Sequence, residues 1–405
     1  MNVDELLRDV LREEASRQAA AAPDFADTVL AARRRSRTRK LVTAMAAAVV
    51  VFTVGAAAPQ LNSETHTPPA ASRSLPVESI SAHPDQWPPR DMIAAGRTAM
   101  VAYYAENVEV LSDKSGVLAR TYWLLDPKTR KYEKDERWSF VAVSRGRTTA
   151  AVLERDLPAQ RIGLLDLASG KVERWIPVSR GVGGLAFSPD GTKLVATTYD
   201  EQPDARHRVE NRTLEGKRVS GWNSEFGNSS RSGFYVFDVA SGEGSWSRVV
   251  SDANINARQD FAFARDGRTV YSQVIGGTDG MQQFRDLQGN LVAGPKNERY
   301  LRSDINARLS PDGSRAALGL DAETKGKSWS EIRDPHNNKK IARVRGSELL
   351  TWVDDRRLIA WEKEAGQGRR LVVVTVGSDE VVPLSGVWDR GVAAPALWWH
   401  PVFAE

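Results

Sequence analysis

The chain contains no cysteine. Disulfides, thiolate nucleophiles and cysteine-ligated zinc are therefore excluded, and the absence of free thiols is compatible with an oxidising compartment. Histidine is scarce: His66, His83, His207, His336 and His400 are the whole set. No two of them stand three or four residues apart and no H-E-x-x-H occurs, so the spacing that puts two imidazoles on one helical face around a metal is missing. There is no G-x-S-x-G nucleophile elbow and no phosphate-binding G-x-x-x-x-G-K-[ST]. The nearest look-alikes, S-R-G-V-G-G from Ser179 and S-G-F-Y from Ser232, read as turns between strands. No catalytic, cofactor-binding or metal-binding residues are assigned, and the expectation is a protein that is not an enzyme.

A strong charge of one sign is also lacking. The 56 basic and 52 acidic residues leave a net charge of +4 over 405 residues. Residues 1–40 hold nine Lys/Arg against seven Asp/Glu, and the rest of the chain 47 against 45. A body so evenly balanced has no global pull toward nucleic acid. With 41% apolar residues and 12 Trp, it has ample material for a core.

What is present begins with a head. Residues 2–18 set Leu6, Leu7, Val10 and Leu11 at helical spacing among charged residues, a stripe suited to a protein partner. A second helical stretch follows Pro23, with Asp24 and Asp27 near its start, where the helix dipole favours acids. Residues 33–40 carry six basic groups, and Leu41–Ala58 then runs 18 residues without a charge. At about 1.5 Å per residue such a helix spans roughly 27 Å, the short end for a bilayer crossing. The basic flank orients the N-terminus to the cytoplasm and the remainder outside. Ala56-Ala57-Ala58 also resembles a signal-peptidase site, but the long region before the apolar run and Pro59 after it favour an uncleaved anchor. Residues 59–91, with seven prolines, read as an extended spacer.

From about residue 92 the sequence repeats. L-A-F-S-P-D-G-T-K-L-V-A from Leu185, F-A-F-A-R-D-G-R-T-V-Y from Phe261 and A-R-L-S-P-D-G-S-R-A-A from Ala307 are each strand, turn, strand. Asp190-Gly191, Asp266-Gly267 and Asp312-Gly313 form the turns: Asp accepts from the backbone ahead and Gly takes the positive φ. Their periodic recurrence argues for hairpin geometry over paired catalytic carboxylates. Weaker copies start at Ala94, Val143 and Trp352, and a second hairpin follows each copy, as in L-L-D-L-A-S-G-K-V from Leu164. Turn centres lie about 50, 45, 76, 46 and 42 residues apart, near the roughly 40–45 of a four-stranded propeller blade. A polar insertion at residues 200–232 accounts for the long interval; it is either decoration or a binding surface. The segment around Trp398 and Trp399 aligns with the first strand of the third repeat. It is therefore expected, as Ala396–His400, to close the ring as the innermost strand of the first blade.

The S-P-D-G repeats resemble those of TolB-type and WD-repeat-like β-propellers. The head and anchor, D-E-L-L-R-D-V-L-R-E-E-A from Asp4 and D-F-A-D-T-V-L-A-A-R-R-R from Asp24, resemble actinobacterial membrane-anchored propellers whose cytoplasmic heads are suspected sigma-factor regulators. The zinc-containing anti-sigma pattern is absent, because it needs paired cysteines.

These readings give an all-β fold, a six-bladed β-propeller with seven blades as the lesser alternative, preceded by a short helical head and one transmembrane helix. The organisation is head 1–40, transmembrane helix 41–58, spacer 59–91 and propeller 92–405. The expected function is an extracytoplasmic ligand- or protein-binding and sensing module. The alternatives are a transmembrane anti-sigma-type regulator acting through residues 1–32 and an exported hydrolase or lyase. Expected partners are the bilayer at 41–58 and a protein, plausibly a sigma factor, at the head. No cofactor and no nucleic acid are expected.

Overall fold

The computed structural model describes residues 79–212, 218–225, 229–249, 258–274, 282–324, 326–363, 368–388 and 398–404. The head with Leu6, Leu7, Val10 and Leu11, the apolar run 41–58 and the spacer up to residue 78 lie outside the described residues. Among the described residues every regular element is a β-strand, and no helix is long and apolar enough to cross a membrane.

The strands fall into successive antiparallel meanders. The first comprises Trp399–Ala404, Thr98–Val110, Ser115–Leu125 and Tyr132–Asp135. The second runs Trp138–Val143, Thr149–Glu154, Ala159–Asp166 and the first half of the long strand Lys171–Phe187. The second half of that strand opens the third, followed by Lys193–Tyr199, Arg231–Asp238 and Gly244–Arg248. The fourth is Ala262–Phe263, Thr269–Gln273, Gln282–Asp286 and Leu291–Val292. The fifth is Ala316–Thr324, Lys327–Arg333 and Lys340–Arg345, with Leu309 bridged to Ala316 in the innermost place. The sixth is Glu348–Trp352, Arg357–Lys363, Arg369–Thr375 and Val381–Pro383.

The repeat turns form as their chemistry dictates. Gly191, Gly267 and Gly313 have φ of 72°, 60° and 75°. Asp190 Oδ1 accepts from the Thr192 N–H at 3.0 Å, Asp266 Oδ1 from the Arg268 N–H at 2.8 Å and Asp312 Oδ1 from the Ser314 N–H at 2.9 Å. Hydrogen bonds from Ser188 and Thr192 hold the Asp190 carboxyl down at about 2. The second hairpins repeat the device: Asp126, Asp166, Asp238 and Asp334 each accept from a backbone N–H two or three residues on. Four residues after each comes a left-handed residue, Arg130, Gly170, Gly242 or Asn338.

Two boundaries differ from the sequence reading. Residues 79–91, assigned to the spacer, belong to the folded unit: Ile80–Ser81 pairs with Ala94–Ala95, His83 bridges to Ser385, and Trp87 packs in an aromatic cluster. Tryptophan burial outweighs the local proline content. The C-terminal strand is Trp399–Ala404 rather than Ala396–His400, with Trp399 opposite Ala105 and Ala404 opposite Ala99.

Core lies between neighbouring meanders. Sixth and first share Trp361, Leu371, Tyr103, Tyr132 and Trp399. Ring centroids there are 4.9 Å apart for Trp361–Trp399 and 5.1 Å for Trp87–Trp399. Trp399 is 1% exposed and Trp398 only partly buried. Separate apolar clusters join first to second, second to third, third to fourth and fifth to sixth.

Candidate binding site at the arch end of the inner strands

The innermost strands all run the same way. Their far ends, at Val143, Phe187, Arg265, Leu309, Trp352 and Ala404, ring one cavity of about 630 Å³ together with the Asp190 and Asp266 turns. All six meanders contribute to this mouth. The turn carboxylates beside it are engaged by their own hairpins, which ties them to structure rather than to a ligand.

The opposite mouth is built differently. The insertion at 200–232 is not a loop: Ala205–Arg212 and Arg218–Asn223 form a hairpin. Although it leaves from the third meander, this hairpin pairs with the first, Ala205 opposite Val117 and His207 opposite Ser115. It therefore reaches past the second meander and forms an arch. Further backbone bonds, Leu118 N–H to Asp204 O at 2.9 Å and Arg208 N–H to Lys114 O at 3.0 Å, extend the seam.

Asp204 fixes the foot of the arch. Its side chain is 2% exposed and accepts from Arg120 Nη1 at 2.7 Å and Arg258 Nη2 at 2.6 Å. Arg258 also donates to Asp260 Oδ2 at 2.7 Å and to the Gly183 carbonyl at 2.7 Å. Tyr199 Oη donates to Asp260 Oδ1 at 2.9 Å, and Arg120 Nε lies 3.3 Å from Glu106. Gly184 makes room for this: a Cβ there would run into the Asp260 carboxylate. Register puts Tyr104, Glu106, Arg120, Asp204 and Arg206 on one face of the joined sheet, because directly opposite residues share a face. His400, opposite Tyr104, shares that face and stacks on its ring at 5.0 Å.

Burial works to raise the Asp204 carboxyl, but the field and hydrogen bonds of Arg258 and Arg120 outweigh it and leave the group well below the usual carboxylate range. Burial likewise opposes the charge on Arg258; Asp260 and Asp204 overcome it and hold the guanidinium charged. Burial pushes Tyr199 well up, reinforced by Asp260. Burial lowers His400 against the opposing pull of Glu106, whose carboxylate lies 3.9 Å from Nε2. Each of the three carboxylates is thus tied to a guanidinium. The cluster positions charge and holds the arch. Among the described residues no group of three or more His, Asp and Glu is arranged to hold a metal ion.

Sequence reasoning located the turns and the tryptophan seam. It did not bring Arg120, Asp204 and Arg258 together. They stand 84 and 54 residues apart in the chain, outside the repeating positions, so periodicity carries no signal for them.

No protein-family model and no curated protein matches the chain. Solved structures do resemble it. TolB from Acinetobacter baumannii shares 14% identity over 70% of this chain, with a TM-score of 0.38. The chain resembles TolB-type and WD-repeat-like β-propellers. It spans 64% of the length of that TolB, so it matches less than two thirds of it. An oligogalacturonate lyase in complex with manganese matches at 14% identity over 74% of this chain and 81% of its own, TM-score 0.38. The β-propeller domain of Myceliophteria thermophila Cps50 (Swd1) matches at 13% over 71% and 99%, TM-score 0.33. At these scores the likeness carries no argument about chemistry, and the description of the fold rests on the strand pairing above.

Proposed function

We propose that this chain is a membrane-anchored, extracytoplasmic six-bladed β-propeller that binds or senses a ligand or protein, without catalysis, at the arch end of its inner strands. Each of the six meanders is taken as one blade, with Trp399–Ala404 completing the first. The observation that carries the reading is the arch: a hairpin from one meander paired to the sheet of another and locked by Asp204 to two guanidiniums. Such a feature shapes a surface above the mouth, whereas the other mouth carries only short turns. The pairing of each carboxylate with a guanidinium favours binding over acid–base chemistry. Anchoring at 41–58 and a head facing the cytoplasm follow from the basic flank and the apolar run. A protein partner for the head follows from the Leu6/Leu7/Val10/Leu11 stripe, and the resemblance of the segments at Asp4 and Asp24 points to a sigma factor.

Affinity capture from envelope extract tests the binding face. The bait is the full chain in detergent, compared with a form whose residues 205–223 are replaced by a Gly-Ser linker. The expected result is a set of bound molecules lost with the arch; an identical set from both baits overturns the reading. A reporter active only outside the membrane, fused after Glu405, checks orientation: activity is expected, and full expression without activity reverses the topology. For the head, Leu7→Asp with Leu11→Asp is expected to remove the captured cytoplasmic protein.

A further inference from the structure

The arch carries two guanidiniums that its own lock does not use. Arg206 and Arg208 stand two residues apart on one strand and therefore share a face. Arg206, opposite Gly116, donates to the carbonyl of its own neighbour Ala205 at 3.0 Å. Arg208 is exposed and donates from Nε to Ser220 Oγ at 2.7 Å. Among the described residues neither guanidinium is paired with a carboxylate. Burial opposes the charge on Arg206, and the field of Asp204 and Glu106 offsets it only in part.

Register brings apolar surface to the same face. Trp222 stands opposite Arg208, its ring centroid 6.0 Å from the guanidinium carbon. Val110 stands opposite Gly116, in the row that continues to Arg206. Gly116 is needed there: a Cβ would come within 2.7 Å of Val108 and 3.5 Å of the Trp222 ring, so the bare backbone lets the indole lean toward the first meander. Val110 is 62% exposed, and Leu111 at the tip of the same hairpin is 70% exposed.

The carboxylates near this face are committed. Glu106 pairs with Arg120, Asp204 with Arg120 and Arg258, and Asp260 with Arg258. Glu210, opposite Ser220, is itself engaged. At the hairpin tip the charges of Asp113 and Lys114 cancel. The charge left over is that of Arg206 and Arg208, and it lies beside Trp222, Val110 and Leu111.

We propose that this face of the arch binds an acidic segment of a partner protein, with carboxylates on Arg206 and Arg208 and apolar side chains on Trp222, Val110 and Leu111. This names the partner for the reading that the arch end binds, and it rests on that reading. Tryptophan and arginine beside exposed aliphatic side chains on an open surface have the composition of a protein contact, whereas a small molecule is held in a concave site that encloses most of it. Complementarity sets the sign: a basic segment would add like charge to two guanidiniums that lack a carboxylate.

Fluorescence anisotropy on the full chain in detergent tests it, with labelled nine-residue peptides of Glu-Glu-Leu, Lys-Lys-Leu or Glu-Glu-Ser repeats. The Glu-Glu-Leu peptide is expected to bind saturably and the other two far more weakly. Arg208→Glu should weaken Glu-Glu-Leu binding by about tenfold, the order expected when a surface charge pair becomes a repulsion. The same variant should gain binding of the Lys-Lys-Leu peptide, an outcome that only a folded protein gives, while Arg208→Lys should keep most of the original affinity. Leu111→Ser should weaken Glu-Glu-Leu binding with an unchanged melting temperature. No saturable binding, equal binding of the Glu-Glu-Ser peptide, or affinity unaffected by Arg208→Glu would overturn the proposal. Capture from envelope extract separates it from the reading beneath it. If Arg206→Gln with Arg208→Glu retains every molecule that is lost on replacing the arch, the arch binds by other means and only this proposal falls; if replacing the arch loses nothing, both fall.

Discussion

The two mouths of the inner strands follow opposite rules. At one, each of the first five meanders has a short hairpin in which an aspartate caps the backbone ahead and a left-handed residue closes the turn. At the other, a hairpin from the third meander crosses to the first and is held by side chains drawn from well-separated parts of the chain. The turn mouth is determined locally and repeats; the arch is determined by distant contacts and occurs once among the described residues. A repeated fold can therefore keep one end uniform while the other diverges, because the hairpins at the uniform end fix the sheets without help from the arch.

The largest expected effect probes what both mouths share, the closed ring. Deleting residues 399–405 removes the innermost strand of the first meander and uncovers the faces packed on Trp399. A buried tryptophan alone contributes several kcal/mol by area, against a net stability of about 5–15 kcal/mol for a whole domain. The truncated protein should aggregate on size-exclusion chromatography and lose its cooperative melt. A monomeric product with an unchanged melting temperature would show that the strand is dispensable.

The arch mouth should break next. Asp204→Asn takes their shared carboxylate from Arg120 and Arg258, which keep only the more exposed Glu106 and Asp260, so the loss should stay below the roughly 3–5 kcal/mol of a fully uncompensated buried charge. Its sign with pH is fixed by the depressed pKa. The contribution is complete above the unfolded carboxyl value near 3.9 and is lost as pH falls below it toward the lower folded value. Denaturant titrations should show the wild type weakening below about pH 4 and the variant with a flatter acid limb. Amide exchange in 205–212 should accelerate in the variant while the Asp190 turn stays protected. Equal acceleration at both mouths would mean that the two ends are not independent.

The turn mouth should respond less, and uniformly. Gly191→Ala, Gly267→Ala and Gly313→Ala each force a Cβ into a left-handed conformation whose nearest neighbours lie at an ordinary 3.8–3.9 Å, so the backbone alone sets a cost of about 1 kcal/mol apiece. Thermal unfolding should give three similar losses that add when combined. A single dominant turn would break the claim that these sites are equivalent. The smallest effect has the opposite sign. Arg130 and Asn338 hold the left-handed position at φ 58° and 59° without being glycine. Arg130→Gly should be neutral or stabilising by at most about 1 kcal/mol, since relief of the Cβ clash is partly offset by greater freedom in the unfolded chain.

Much of this was legible in the sequence where it depends on neighbours along the chain. Asp190-Gly191 and its two counterparts announce their turns because capping and positive φ act within four residues. Trp398 and Trp399 announced a closing segment because they align with an earlier repeat. The strand itself starts at Trp399, a register set by its partner Thr98–Val110 rather than by its own residues. Residues 79–91 misled because proline content says nothing about Trp87 being captured by Trp361 and Trp399.

By itself the sequence determined the all-β class, the repeated hairpins and the turn chemistry, since each is written within a few consecutive residues. The tertiary structure alone decided that the hairpin Ala205–Arg212 and Arg218–Asn223 forms an arch on the first meander, that Asp204 joins Arg120 to Arg258, and that the contact between the fourth and fifth meanders is polar. Those features arise from residues brought together only when the sheets pack side by side, and a buried ion pair leaves no periodic trace in the order of the chain.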